Sequence, residues 1–272
     1  LRYDYRRDNI NDSSPIAGTI LTGRKHRDSH GIFFQDEVVL AHDKISLIPA
    51  VRYEDASDFP DDVSLKMGMA ARPWQWLTFK GNIESSFRYP NFSELYFPDQ
   101  GYLRGNSGLD KEEALNYDVG IVINNPSLPP FSKGGSVEII YFRNNIKNQI
   151  IWVPVSATTI QPINTFDVTA QGIEAAATID PFEFLTIGSN YTFLSAHFDS
   201  NKAQLPGRPK HKLNSHMDIH HDFNDFFGGN IFGELQYTSA LPVNTQNTVF
   251  IAEKAVIDAG LSAKFSPRNK SW

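Results

Sequence analysis

Residues 76–87 read WLTFKGNIESSF. Leu77, Phe79, Ile83 and Phe87 fall on one side of a two-residue period, and Thr78, Lys80, Asn82, Glu84 and Ser86 fall on the other. A period of two sustained this long is an extended strand with one apolar and one wet face. The same alternation recurs in both directions along the chain. Toward the N-terminus it covers Leu1–Asp8, Gly31–Leu40 (with Asp36 interrupting the apolar side), Ile45–Tyr53 and Leu65–Arg72. Toward the C-terminus it covers Leu115–Ile123, Val137–Arg143 (continued less cleanly to Ile151), Ala170–Ile179, Leu185–Ser195, Lys212–His220, Ile231–Tyr237 and Ala255–Phe265. That makes about twelve strands with no convincing helix.

The connections sort by length. Short ones are expected near residues 42, 74, 130, 181, 225 and 268, and long ones near 18, 58, 100, 160, 203 and 244. A soluble sandwich has no reason to alternate in this way. An antiparallel transmembrane β-barrel does, because short turns face one side of the membrane and long loops the other. No run approaches 18 consecutive apolar residues, so no transmembrane helix is expected. A barrel strand leaves no such peak, since only every second residue of about ten is apolar. The surplus of aromatics, 20 Phe and 10 Tyr among 272 residues, fits girdles at two membrane interfaces. The fold class is therefore read as all-β, a transmembrane barrel wall.

Composition excludes several chemistries. Without cysteine there are no disulfides, thiolate metal sites or Cys nucleophiles. A net charge of −6 with no basic stripe argues against a nucleic-acid partner. No Gly-x-Ser-x-Gly elbow, phosphate loop or His-Glu-x-x-His is present, so neither an enzyme nor a bound cofactor is expected. Leu1 and Trp272 both fall in mid-pattern, and residues 1–272 are expected to be a piece of a longer barrel, cut at both ends.

The stretch from Phe87 to Glu113, FRYPNFSELYFPDQGYLRGNSGLDKEE, is too long for a hairpin turn. It interleaves aromatics with Arg88, Glu94, Asp99 and Arg104. A long loop between two strands is where a β scaffold places binding. Its order also carries a resemblance. Gly31-Ile-Phe-Phe-Gln-Asp-Glu37, Leu47–Glu54, Phe87-Arg88-Tyr89-Pro90 with Glu94-Leu95-Tyr96, Gly105-Asn106 with Leu109, Tyr117–Gly120, Gln171–Glu174 and Leu205-Pro-Gly-Arg-Pro209 with Asn214 come in succession. In that order and spacing they resemble the TonB-dependent outer-membrane receptors of the siderophore and vitamin B12 type.

The resemblance implies the C-terminal portion of a barrel of roughly 22 strands closed around a plug that lies outside this chain. It implies a bacterial outer membrane with its lipid as surroundings. It implies uptake of a ferric siderophore or a cobalamin-like ligand, driven by a TonB complex acting through the plug. A passive porin-like or structural barrel is the nearer alternative, and an outer-membrane hydrolase a remoter one. The ligand-binding candidates are Arg88, Tyr89, Tyr96, Tyr102 and Arg104, cationic for anionic groups and aromatic for stacking. No histidine lies between Asn91 and Arg104, which counts against haem, although His26, His30, His197 and His211 sit in or beside other long loops. His216 and His220 are about 13 Å apart on a strand, too far for one ion. Asp55, Asp58, Asp61 and Asp62 are the hard-oxygen candidates for Ca²⁺, against the plainer reading of a solvated acidic loop, and no metal site is assigned.

Overall fold

A computed structural model describes residues 1–10, 24–125, 133–224 and 226–265. Alternating residues become strands almost without exception. They are β1 (Arg2–Ile10), β2 (Lys25–Gln35), β3 (Val38–Leu40), β4 (Ile45–Ala56), β5 (Phe59–Trp74), β6 (Leu77–Arg88), β7 (Glu112–Asn125) and β8 (Gly134–Pro154). Then follow β9 (Ile160–Phe182), β10 (Leu185–Phe198), β11 (His211–Asp222), β12 (Phe227–Thr238), β13 (Leu241–Pro242), β14 (Phe250–Ile251) and β15 (Lys254–Phe265). Among the described residues one short helix, α1 (Phe92–Tyr96), interrupts them.

The topology is a meander. The sheet order is β1-β2-β4-β5-β6-β7-β8-β9-β10-β11-β12-β15, with β3 pairing β4 off the path and β13/β14 forming a separate small hairpin. Every pairing on the path is antiparallel. Register lines up like faces. Phe79 sits opposite Ile121, Ile121 opposite Ile139, Ile139 opposite Ala175, and Ala175 opposite Tyr191. On the other face, Lys80 pairs with Glu138, Asn82 donates to Asp118 at 3.0 Å, and Lys66 lies 3.4 Å from Glu84.

Among the described residues no second layer covers the apolar face. Ile83 is 50 % exposed, Val119 58 % and Ile139 51 %. A soluble domain of this size does not leave so many large side chains in contact with water. The buried clusters are small and sit at one end: Val168, Ala196, Phe198 and Leu205 in one, Leu95, Leu109 and Ile150 in the other. At the short-turn end, aromatic pairs mark the limit of the apolar band, Trp74 on Trp76 and Phe182 on Phe184. At the opposite end, tyrosines reach up to polar partners. The hydroxyl of Tyr5 donates to Asp28, that of Tyr53 to Asp61 and that of Tyr141 to Gln171. Amphipathic rings at two levels are what membrane interfaces select.

Several expectations change. The acidic stretch Glu54–Asp62 is not a long loop: β4 and β5 stay paired to Ala56 and Phe59, leaving only a tight turn at Ser57 and Asp58. Three of its carboxylates find partners, Asp58 on Arg27, Asp61 on Tyr53 and Asp62 on Lys111, so the stretch does not need to open into solvent as a loop. The long connection expected near 160 shrinks to residues 155–159, because β9 already begins at Ile160 against Pro154. The expected single strand Gly31–Leu40 breaks at Asp36 and Glu37 into β2 and β3. Long connections remain at 89–111, 199–210 and 239–253, and short ones at 41–44, 75–76 and 183–184. The connections expected near 18, 130 and 268 lie outside the described residues.

Candidate functional site

Between β6 and β7 the chain leaves the sheet, and Arg88 fixes the point of departure. Its guanidinium donates to Glu112 from Nε at 2.8 Å and from an Nη at 2.7 Å, and to Glu94 at 2.9 Å. Both carboxylates are nearly buried, 10 % and 15 % exposed. Each also accepts a backbone amide: Asn91 N–H donates to Glu94 at 2.8 Å, and Ile150 N–H to Glu112 at 2.7 Å. Buried charge of this kind persists only when paired and hydrogen-bonded. Arg88 thereby ties together β6, α1, β7 and β8. The helix itself is started by a capping box: the Asn91 side chain accepts from Glu94 N–H at 2.9 Å while Glu94 reaches back to Asn91.

Tyr89 packs between Phe59 and Phe87, with ring centroids 5.0 and 5.1 Å away, and its hydroxyl donates to the Pro60 carbonyl at 3.0 Å. Burial, reinforced by the carboxylates of Asp62 and Glu54, pushes its phenol up to about 12. Beneath it lies Arg27, which the sequence does not single out. Arg27 is 7 % exposed and grips Asp58 at 2.7 and 2.9 Å and the Pro90 carbonyl at 3.0 Å. Its guanidinium lies over the rings of Phe59, Tyr89 and Phe92 at 5.0, 5.5 and 5.4 Å, a cation–π cage. Tyr96 belongs to the same inner layer: it packs against Phe92 and takes the Lys25 ammonium 5.1 Å above its ring.

Tyr102 and Arg104 stand apart from these three. Gly101, at φ 83°, turns the chain there. Tyr102 is 61 % exposed. The side chain of Arg104 is 47 % exposed, with Asp99 at 3.9 Å and Gln161 at 3.4 Å. The backbone under them is fixed to the link between β8 and β9 and to β9 itself. Ile160 N–H donates to the Tyr102 carbonyl at 2.8 Å, and Arg104 N–H to the Ile160 carbonyl at 3.2 Å. Gln161 donates to the Gly105 carbonyl, Asn106 to the Pro162 carbonyl, and Asn164 both accepts from and donates to Asp110.

Under the loop, on the polar face, lies a cavity of about 540 Å³ bordered by Arg6, Arg27, Arg52, Lys66 and Arg88 with Asp8, Glu54 and Glu84 interspersed. The histidines near loops are engaged locally: His30 with the Tyr3 hydroxyl, His211 with the Tyr191 hydroxyl, and His197 3.8 Å from Asp199. His26 lies 3.9 Å from Asp28. Among the described residues no three His, Asp or Glu side chains converge as a metal site.

The family model described as "TonB dependent receptor-like, beta-barrel" matches residues 1–272. The ferric enterobactin receptor PirA of Pseudomonas aeruginosa is 25 % identical over 236 residues, 76 % of this chain and 30 % of that protein. The vitamin B12 transporter BtuB of Vibrio vulnificus is 28 % identical over 143 residues, 51 % of this chain and 22 % of that protein. The chain thus spans less than a third of the length of these relatives. Two solved structures share the fold. The siderophore receptor PirA from Pseudomonas aeruginosa superposes with a TM-score of 0.70 at 19 % identity, covering 97 % of this chain and 44 % of that one. A ferric enterobactin receptor (PfeA) mutant from the same organism, in complex with enterobactin, gives 0.75 at 20 % identity, covering 98 % and 44 %. With an exposed apolar face, a polar opposite face and a match along its whole length, the chain belongs to the family of TonB-dependent receptor β-barrels.

Proposed function

We propose that this chain is part of the wall of a bacterial outer-membrane receptor that takes up a scarce ligand, a ferric siderophore or a cobalamin-like molecule. Energy comes from a TonB complex acting through a plug domain. The observation that carries the proposal is the uncovered apolar face along the meander, with a docked aromatic and cationic loop at one end of the described sheet. The edges β1 and β15 support a larger barrel: in hydrocarbon each unpaired backbone group costs several kcal/mol, so both edges require neighbouring strands. Relatives named for ferric enterobactin and vitamin B12 support the ligand class.

Within the loop, Arg88, Tyr89 and Tyr96 set its shape, and Tyr102 and Arg104 present the outer contact surface. Arg88 also borders the cavity below. The test is uptake of labelled ferric siderophore and of cobalamin by cells carrying the full-length protein, with and without TonB. Uptake that continues unchanged without TonB would identify a passive pore instead. Deleting Tyr89–Arg104 should abolish high-affinity ligand binding; unchanged affinity would remove the loop from the proposal.

A further inference from the structure

The wall contains a slit. β5 pairs with β6 only as far up as Lys66 opposite Glu84. Above that level Phe59–Leu65 pairs with β4 alone, and Ser85–Arg88 pairs with β7 alone. The slit is closed at its base by the Lys66–Glu84 ion pair. It is closed at its top by the Lys111–Asp62 ion pair and by the Tyr89 hydroxyl on the Pro60 carbonyl. Between these clasps the strands are not hydrogen-bonded to each other through their backbones.

Two backbone N–H groups of β5 beside the slit are met by side-chain oxygens. Leu65 N–H donates to Ser85 Oγ at 3.0 Å, and Val63 N–H donates to Asp62 Oδ1 at 2.9 Å. Ser85 interrupts the apolar row between Ile83 and Phe87, and this capping explains a hydroxyl there. Such capping is what hydrocarbon demands of a strand edge. On the apolar face the slit widens into a cleft of about 640 Å³, walled by Phe34, Val51, Leu65, Met67, Ile83 and Leu115. Directly above it a second hollow of about 340 Å³ has a polar rim of Asp62, Glu113 and Lys147. Polarity is therefore graded along the groove: ionic at the level of the Tyr53–Asp61 contact, and mostly apolar below, where Ser85, Lys66 and Glu84 are the polar members of the lining.

We propose that this groove holds one acyl chain of an outer-leaflet amphiphile, head group at Lys147 and chain against Met67 and Ile83, so that a lipid completes the wall where the sheet is split. The flexible thioether of Met67 suits a mobile, linear occupant. The proposal rests on the membrane reading given above.

The test uses the full-length protein in nanodiscs of phosphatidylethanolamine and phosphatidylglycerol doped with a phospholipid that carries a diazirine in its acyl chain. Photolabelling should concentrate several-fold at Leu65–Met67 and Ile83–Ser85 relative to Ile121, Ile139 and Ile173 on the unbroken wall. Leu65→Trp, which fills the cleft, should reduce the label there to the level of the wall, and Ile121→Trp should leave it unchanged. Folding of each variant is read from heat-modifiable migration on gels, and Ile83→Phe replaces Leu65→Trp if the latter does not fold. Even labelling along the wall, or cleft labelling that survives the filling substitution, overturns the proposal while the membrane reading stands. Failure of the folded protein to enter the nanodisc overturns both.

Discussion

Replacing Arg88 by Met removes the guanidinium while keeping most of the side-chain length. Glu94 and Glu112 are then left as nearly buried anions, each with one backbone donor remaining. Breaking a buried ion pair from one side costs about 3–5 kcal/mol. The Arg88 side chain is 41 % exposed, so water enters where it stood and the lower end, ~3 kcal/mol, is the expected cost. That energy belongs to the loop and not to the barrel, whose strands pair independently of it. The appropriate assay is therefore amide hydrogen exchange in the folded full-length protein at Asn91 and Ile150, whose N–H groups bond the two carboxylates. At 1.4 kcal/mol per tenfold, protection should fall by about 100-fold. The triple variant Arg88→Met, Glu94→Gln, Glu112→Gln should recover most of it, because the loss comes from stranded charge. A fall of less than about threefold, under 1 kcal/mol, would refute Arg88 as the anchor of the loop. Failure of the triple variant to recover would refute stranded charge as the cause.

Other outcomes follow from the same geometry. Arg27→Lys loses the paired contacts to Asp58, the Pro90 carbonyl and the planar stacking in its cage, and proteolysis at the Asp58 turn and at Pro90 should accelerate. Tyr102→Ala with Arg104→Ala should change barrel stability by less than about 0.5 kcal/mol, as exposed sites do, while ligand affinity measured by fluorescence titration falls. Gly172→Ala drives a Cβ into the Phe193 carbonyl and to 3.0 Å from the Phe142 ring, and should destabilise the folded barrel by about 1–3 kcal/mol in urea titrations. Tyr89 keeps its proton in the fold to about 12 where an exposed tyrosine loses it near 10. Its contribution should thus be intact below pH ~10 and be lost as pH rises toward 12. Phenolate absorbance and loop proteolysis should move together there, and Tyr89→Phe should remove the pH dependence.

The wall was legible because its information is local. In Trp76–Phe87 the environment alternates residue by residue, and neighbouring strands repeat the rule without reference to one another. The start of α1 is equally local: Asn91 and Glu94 spell a capping box within four positions, inside a Gly- and Pro-rich segment whose composition otherwise signals only a loop. What could not be read depends on partners far along the chain. Arg27 meets Asp58 across 31 positions and Pro90 across 63, and nothing in His-Arg-Asp distinguishes it. The acidic run near 58 looked like a loop because the cation that relieves Asp62, Lys111, lies 49 positions away. Among the five loop candidates, composition could not separate Arg88, Tyr89 and Tyr96, turned inward, from Tyr102 and Arg104, turned out.

β8 and β9 run for 21 and 23 residues, whereas a tilted strand crosses a bilayer in about 9–11. Roughly half of this hairpin therefore rises above the apolar band as a rigid ledge. The loop rests on that ledge largely through main-chain atoms and side-chain amides, contacts indifferent to which side chains occupy 99–104. Support and recognition are thereby uncoupled. With recognition placed at Tyr102 and Arg104 as proposed above, a lineage can exchange those residues without dismantling the shelf on which they stand.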